Sequence, residues 1–180
     1  KDDTAETCPR TSLNITSNWN ETTVDGAFER FADCTVDEAV AQGLFEEILI
    51  DQVIPAFAPN KPLILFDFPK CQGSLARAKP TNSQRVERWE LYIRGIELAN
   101  AYNELTDCDE QEERLPNTIS IRQTLNKPVY PQDPYYTQAV DDGLFPPSSG
   151  IAVGVDRLLM VLTQTSEIDE VIAFPGEAHV

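Results

Sequence analysis

Apolar positions in the first third of the chain recur mainly with helical spacing. A weakly alternating start over residues 22–31 turns helical, and residues 35–53 contain the clearest helical pattern. Thr35 and Glu38 match a capping box at the start of that pattern, and Gly43 divides it into two helices. Three prolines then end the helical region: Pro55, Pro59 and Pro62.

Strands are predicted further along. Residues 62–69 form an apolar run bounded by prolines, which is typical of a buried strand. Residues 150–155 form a strand of small residues, after which Asp156 caps a helix over residues 157–165. Residues 167–175 then form a last strand.

Polar segments connect these elements. Residues 1–19 are a polar lead-in without clear periodicity, predicted to be poorly ordered, and residues 20–180 form one domain. Residues 107–126 predict an exposed helix interrupted at Pro116. Residues 128–147 contain many prolines and predict a loop with one short helix.

The central stretch, residues 86–106, combines acidic and aromatic side chains. Its carboxylates lie among Trp, Tyr, Leu and Ile; they are Glu87, Glu90, Glu97 and Glu104. Carboxylates that share a half-buried surface with aromatic rings are costly unless a positive group meets them. That group is a divalent cation, a ligand ammonium, or an Arg or Lys from elsewhere in the fold.

Two antiparallel strands that turn at residues 94–95 place Glu90, Tyr92 and Glu97 on one face. Two carboxylates there form a hard, oxygen-only site suited to magnesium that holds phosphates. Heptad spacing of residues 90, 97 and 104 also allows a helix, but Gly95 favours strands. An ordinary acidic sheet surface is the competing interpretation.

A second group of side chains in this stretch has the opposite strand parity. Asn100, Tyr102 and Glu104 reach the face of Glu90 only if the second strand has a bulge near Ala99.

The segment 150–160 reads Gly-Ile-Ala-Val-Gly-Val-Asp-Arg-Leu-Leu-Met. A helix start beneath a glycine-bearing strand offers backbone N–H groups and partial positive charge to a phosphate. Arg157 adds a fixed cationic fork for a polyphosphate. The competing interpretations are close strand packing at Gly150 and Gly154, and an ion pair between Arg157 and an acidic residue.

Composition narrows the class of protein. The 180 residues are 41% hydrophobic and carry a formal net charge of −16, which argues against a general nucleic-acid surface. No run is long enough to span a membrane. Four widely spaced cysteines without a Cys-x-x-Cys pair indicate a reduced, cytoplasmic protein without a zinc cluster. His179 is the single histidine, which excludes a histidine-based triad or metal cage within the chain.

The motifs around residues 90–107 and 150–160, in this order, resemble the lysine-pocket segment and motif 3 of class II lysyl-tRNA synthetases. The resemblance is clear over residues 62–175 and looser over residues 20–61. It implies an α+β fold with an antiparallel sheet flanked by helices, of which this chain is the C-terminal half. It also implies ATP and Mg²⁺ as cofactors.

The resemblance assigns roles to individual positions. Glu90 and Glu97 correspond to the ATP–magnesium site, and Arg157 to the ATP-binding arginine of motif 3; these three are the catalytic candidates. Leu91 corresponds to a residue whose backbone lies against the adenine, and Gly154 to the motif 3 glycine. The predicted substrate contacts are Glu97, Asn100, Tyr102, Glu104 and Ala152, with Glu104 meeting the side-chain ammonium and Tyr102 covering the methylenes.

Ala152 selects a branch of the family. Lysyl-tRNA synthetases generally have glycine there, whereas the paralogue that attaches lysine, preferably (R)-β-lysine, to elongation factor P has alanine. A methyl group beside the α-amino position favours a substrate whose amine sits on the β-carbon. Asp67, in place of a common histidine, and Ala101-Tyr102, in place of Gly-Phe, depart from that paralogue.

The implied chemistry is activation of a lysine carboxylate by ATP, followed by transfer to a lysine of elongation factor P. The alternatives are charging of tRNA-Lys by an ordinary lysyl-tRNA synthetase and a non-catalytic interaction module. The resemblance also implies a homodimeric parent protein. Because motif 1 and the motif 2 arginine are expected upstream, residues 1–180 alone are predicted to bind ATP weakly or not at all; micromolar affinity by calorimetry would contradict this.

Overall fold

The structure, a computed structural model, describes residues 13, 15–16, 19–131 and 133–175, apart from the side chains of residues 115, 117 and 118. The predicted lead-in therefore lies almost entirely outside the described residues, as does His179. The described part divides into two compact units. The first contains described residues of Lys1–Asp67, Trp89–Asn100 and Ile151–Val180, and the second contains Phe68–Arg88 and Ala101–Gly150.

The strands of the described residues form one mixed sheet. They are β1 (Asn20–Thr23), β2 (Leu63–Pro69), β3 (Ala78–Lys79), β4 (Asn82–Ile93), β5 (Ile96–Asn103) and β6 (Ser149–Val153). Their order is β1-β2-β4-β5-β6, with β3 paired to β4. The pair β1–β2 is parallel, whereas β3–β4 is antiparallel. The predicted α+β class is confirmed, and the sheet is mixed rather than wholly antiparallel.

The helices of the described residues are α1 (Val24–Phe31), α2 (Val36–Gln42), α3 (Phe45–Ile48), α4 (Cys108–Thr124), α5 (Pro134–Asp141) and α6 (Val155–Thr163). A π-helical turn, Leu49–Val53, and a 3-10 turn, Ile54–Ala56, continue α3. Short 3-10 turns also occupy Lys70–Gln72 and Ile168–Glu170.

Helix caps in the first unit follow the sequence signals. Thr35 and Glu38 form the predicted capping box of α2, and Gly43 ends the helix at φ 71°. Hydrogen bonds from the backbone and the hydroxyl group of Thr35 lower the pKa of the Glu38 carboxyl group. Phe28 and Phe45 stack with ring centroids 5.5 Å apart, so apolar side chains of α1 and α3 share one core.

Arg114 joins helix α4 to the preceding loop in the second unit. Its Nη1 donates to the carbonyls of Ser74 and Ala76, at 3.0 and 2.8 Å, and its Nη2 donates to Glu110, at 2.6 Å. Asp107 caps α4 by accepting from the backbone N–H of Glu110 at 2.9 Å. Backbone and side-chain contacts therefore fix the start of α4 against residues 74–76.

Three local predictions are wrong. Helix α4 continues through Pro116, because the carbonyl that proline releases belongs to exposed Glu112, where water can satisfy it. Asp156 lies within the first turn of α6 and Gly154 is the N-cap, so the carboxylate favours the helix dipole without capping it. Residues 167–175 form no strand; the N–H groups of Val171 and Ile172 bond back to the carbonyl of Ile168.

Two further findings concern the described residues only. None of their helices is both long and apolar enough to cross a bilayer. Cys34, Cys71 and Cys108 are thiols and not disulfides.

Candidate active site

The central stretch is a β-hairpin, as its strand pattern predicts. Strand β4 ends at Ile93 and β5 begins at Ile96. The two connecting residues, Arg94 and Gly95, have φ values of 56° and 77°. Positive φ at both positions is the signature of a type I′ turn, whose twist matches that of the strands it joins. The helical alternative for this stretch is excluded.

Glu90 lies on one face of the hairpin in a largely buried position. Its side chain is 4% exposed and that of Tyr92 is 7% exposed. The Tyr92 hydroxyl donates to Glu90 Oε2, and Asn100 Nδ2 lies 3.5 Å from Glu90 Oε1. This contact brings Asn100 to Glu90, while the bulge near Ala99 stays a prediction.

Asn100 also presents an acceptor that the described residues leave unused. Its Oδ1 is buried and has no hydrogen-bond partner among them. A buried amide oxygen without a donor is costly, so this atom is suited to receive an N–H group from a ligand.

The other face of the hairpin packs against α6. Ile93, Leu98 and Val161 form a buried cluster, which partly buried Leu91 and Ile96 join. Leu91, expected to lie against adenine through its backbone, therefore contributes its side chain to this cluster. The cluster is what fixes α6 on the hairpin.

Strand β6 and helix α6 bring Arg157 to Glu97. The Gly154 N–H donates to the Leu98 carbonyl at 2.8 Å, which ties the strand-to-helix junction to β5. Arg157 Nη1 then donates to the Glu97 carbonyl at 3.0 Å and lies 3.4 Å from Glu97 Oε2. The side chains are 49% and 37% exposed, so the ion pair itself adds little stability.

Gly154 and Ala152 lie at the open side of this junction. A Cβ atom added at Gly154 would meet only the side chain of Arg157, at 3.4 Å or more, so backbone packing does not require this glycine. Helix α6 has no side-chain cap. Its first-turn N–H groups are therefore free of a capping side chain, as a phosphate-binding helix start requires. Ala152 is exposed on β6.

The remaining two predicted substrate residues belong to the second unit. The Arg88 guanidinium lies 4.7 Å from the ring centre of Phe68 and 5.7 Å from that of Tyr102. Arg88 also donates through Nη1 to the Gln72 carbonyl. This arrangement holds the Tyr102 ring against a fixed cation.

Glu104 is held beside Gly150 in the same unit. The Glu104 N–H donates to the Ser148 carbonyl at 2.9 Å. A Cβ atom at Gly150 would lie 2.7 Å from Glu104 Oε1. The close-packing interpretation of Gly150 therefore holds, and its packing partner is the carboxylate predicted to receive the substrate ammonium.

The structure thus gathers most of the predicted residues into the first unit. It brings Glu97 to Arg157 and Glu90 to Asn100. Sequence reasoning gave Tyr92 no role and did not consider Arg88. Strand alternation placed Tyr92 on the face of Glu90 and could have added Arg88, because each lies two residues from Glu90 on β4.

The described residues offer few side-chain ligands for a metal ion. Among the described residues, no group of three or more His, Cys, Asp or Glu side chains is placed to hold one. A magnesium ion bound with a nucleotide needs only one or two protein carboxylates besides phosphate oxygens.

Comparisons with known proteins agree with this architecture. The family described as tRNA synthetases class II (D, K and N) matches residues 5–178. The elongation factor P–(R)-beta-lysine ligase of Histophilus somni (strain 2336) is 36% identical over 154 residues, covering 84% of this chain and 47% of the relative. The ligase of the same description from Erwinia tasmaniensis is 38% identical over 131 residues, 73% of this chain and 40% of the relative.

A third relative of that description, from Buchnera aphidicola subsp. Acyrthosiphon pisum (strain Tuc7), is 39% identical over 124 residues, 69% of this chain and 38% of the relative. The chain spans less than half the length of these curated relatives. A family match over nearly the whole chain, together with the hairpin and the strand–helix junction, leads to one conclusion. The chain belongs to the class II tRNA synthetase family of the D, K and N type.

Proposed function

We propose that this chain is part of an ATP-dependent ligase that activates lysine or (R)-β-lysine as an adenylate and transfers it to a lysine of elongation factor P. The contact between Arg157 and Glu97 carries the proposal. It joins two motifs far apart in sequence, each of which the family resemblance assigns to the nucleotide. The names of the relatives supply the acceptor.

The residues present fit ATP bound with Mg²⁺. Glu90 and Glu97 supply hard carboxylate oxygens, which Mg²⁺ prefers, and the nucleotide phosphates supply the other ligands. When bound, the ion would neutralise charge on the departing pyrophosphate. Arg157, already fixed to the Glu97 carbonyl, is a protein cation beside the Glu97 carboxylate.

Arg157 has two roles in this proposal. Without nucleotide its guanidinium neutralises Glu97. With nucleotide, some of the five N–H donors of its guanidinium group bind a phosphate, while the hydrogen bond to the Glu97 carbonyl keeps the side chain in place. A cation held before the reaction begins stabilises developing charge without reorganisation.

The family resemblance assigns the substrate side chain to Tyr102 and Glu104, and its polar end to Asn100. Glu104 accepts the substrate's side-chain ammonium, and Tyr102 covers the methylenes. The unpartnered Oδ1 of Asn100 accepts from an amino group. Exposed Ala152 adds a methyl group that disfavours an amine on the α-carbon.

Catalysis then depends on positioning and electrostatics. The substrate carboxylate attacks the α-phosphorus of ATP and expels pyrophosphate. The acceptor amine, in its neutral form, subsequently attacks the adenylate carbonyl, expels AMP and releases one proton to solvent. Neither step requires a histidine, because the reacting groups need orientation and charge neutralisation more than proton transfer from a protein base.

The test uses the complete natural polypeptide that contains the chain. We expect ATP–pyrophosphate exchange that depends on lysine or (R)-β-lysine, and label from the amino acid on elongation factor P. Absence of exchange with both amino acids would refute the proposal. Label on tRNA-Lys and not on elongation factor P would identify an ordinary lysyl-tRNA synthetase. Glutamate in place of lysine is the matched negative control.

A further inference from the structure

Tyr92 and Glu90 form a buried pair, of which the proposed reaction uses only the Glu90 carboxylate. They alternate on one face of β4, and their side chains are 7% and 4% exposed. The phenol hydroxyl donates to Glu90 Oε2. A buried carboxylate requires donors, and a hydroxyl group that donates to an ionised acceptor makes one of the stronger hydrogen bonds in proteins.

The hydrogen bonds that Asn100 and Tyr92 make to Glu90 are unequal. Asn100 Nδ2 is 3.5 Å from Oε1, which is at the limit of a hydrogen bond. The Tyr92 contact with Oε2 is much closer. Of these two donors, Tyr92 therefore has the larger influence on the orientation of the carboxylate.

The hydroxyl group is separable from the packing of the ring. Tyr92 also borders a cavity of about 250 Å³, lined by apolar residues such as Phe57 and Leu63 together with Lys61 and Arg94. Phenylalanine would fill the same space there. A purely structural role therefore predicts that removing the oxygen changes stability alone.

We propose that Tyr92 is a positioning residue that fixes the carboxylate of Glu90 for the metal–nucleotide complex. This rests on the proposed function, since it takes Glu90 as a ligand to that complex. Groups that hydrogen-bond a metal-ligating carboxylate typically contribute 10–100-fold to metal affinity. We therefore expect loss of the hydroxyl group to weaken metal binding about 10-fold.

The experiment measures Mn²⁺ binding by electron paramagnetic resonance, with the complete natural polypeptide and a non-hydrolysable ATP analogue. Tyr92→Phe is expected to raise the Mn²⁺ dissociation constant about 10-fold. Tyr135→Phe is the matched control, because Tyr135 is 80% exposed. It should leave the constant unchanged. Thermal unfolding of each variant separates loss of fold from loss of metal affinity.

A double mutant tests the route through Glu90. Glu90→Gln alone should weaken Mn²⁺ binding, and adding Tyr92→Phe should produce no further loss if the hydroxyl group acts only through that carboxylate. Additive losses would overturn the proposal. So would a Tyr92→Phe variant that melts earlier but binds Mn²⁺ within twofold of the parent protein.

Failure of the proposed function gives a different result. If the parent protein does not bind the ATP analogue, either with or without Mn²⁺, the proposed nucleotide site is rejected, and the role of Tyr92 is rejected with it. If the parent protein binds the complex and Tyr92→Phe does so equally well, only the role of Tyr92 is rejected.

Discussion

The hairpin β4–β5 and the segment β6–α6 meet in the first unit but differ in what they bury. The hairpin buries both its apolar cluster and a carboxylate with hydrogen-bond donors, at Glu90. The segment β6–α6 buries Met160 and Val161, yet exposes a row of apolar side chains. That row contains Ile151, Val153, Val155, Leu158, Leu159 and Leu162.

The difference shows that the two site residues are positioned in different ways. Glu90 is oriented within its own hairpin. Arg157 is placed by α6, whose contact with the hairpin depends on Val161 and on the bond from Gly154 to Leu98. So many exposed apolar side chains within twelve residues are typical of an interaction site. Strand β6 also lies at the end of the strand order and contains neither a charged residue nor a proline.

The largest expected effect separates activity from stability. Arg157→Met should lower kcat/KM for pyrophosphate exchange by roughly 10²–10³, the usual loss when a preorganised charge-stabilising donor is removed. It should change the free energy of unfolding by less than about 1 kcal/mol, because the Arg157–Glu97 pair is exposed. Exchange kinetics and urea unfolding measure the two quantities in the complete polypeptide.

Arg122→Met is the matched control, since Arg122 lies on α4 and contacts Tyr130 and the Pro128 carbonyl. Its exchange rate should equal that of the parent protein. An Arg157→Met variant that retains full exchange would remove Arg157 from the nucleotide site.

The apolar cluster beneath the hairpin predicts the next effect. Leu98→Ala should destabilise the chain by about 2–4 kcal/mol, because Leu98 is 3% exposed and its loss leaves a cavity. Leu162→Ala makes the same chemical change at a side chain that is 66% exposed and should cost less than about 0.5 kcal/mol. Urea unfolding of the two variants is the measurement; equal losses would mean that the two regions do not differ in packing.

Local signals account for what the sequence predicted correctly. The Thr35–Glu38 capping box and the Arg94-Gly95 turn depend on neighbouring residues, so the elements around them could be placed. Alternation also grouped Glu90 with Tyr92, and the resemblance supplied the roles proposed for the site residues.

Contacts that depend on tertiary structure could not be predicted from the sequence. Helix α4 passes through Pro116 because the Glu112 carbonyl, which loses its hydrogen bond there, faces solvent. Residues 167–175 have strand propensity but pair with no strand of the sheet. The pairing of Arg157 with Glu97 among thirty acidic residues required the fold. So did the position of Arg88 between Phe68 and Tyr102.

The ion pairs of Glu110 in the second unit are less exposed than the Arg157–Glu97 pair. Glu110 is 18% exposed and lies 2.6 Å from Arg114 and 3.2 Å from Lys70. Burial raises the pKa of Glu110, but the hydrogen bonds and charges of Arg114 and Lys70 outweigh it and lower the pKa overall. Its contribution to stability is therefore complete above the ordinary glutamate pKa and lost as pH falls through the lowered value.

Glu110→Gln should lower the free energy of unfolding by roughly 1.5 kcal/mol at pH 7. It should also reduce the further loss of stability between pH 7 and pH 3. Glu97→Gln should cost less than about 0.5 kcal/mol at either pH, because its partner is more exposed. Urea unfolding at pH 7 and pH 3 measures both. A Glu110→Gln variant whose deficit is the same at pH 3 as at pH 7 would contradict the assigned ion pairs.

The smallest expected effect lies on the exposed strand itself. Val153→Thr keeps the side-chain shape and should change the free energy of unfolding by less than about 0.5 kcal/mol, because Val153 is 51% exposed and its new hydroxyl group remains in water. Val161→Thr, at a side chain 4% exposed, places the same hydroxyl group in the apolar cluster and should cost about 1–3 kcal/mol. Thermal and urea unfolding of residues 1–180 compare the pair. A cost above about 1 kcal/mol at Val153 would show that β6 is packed in solution and that the apolar row is not a free surface.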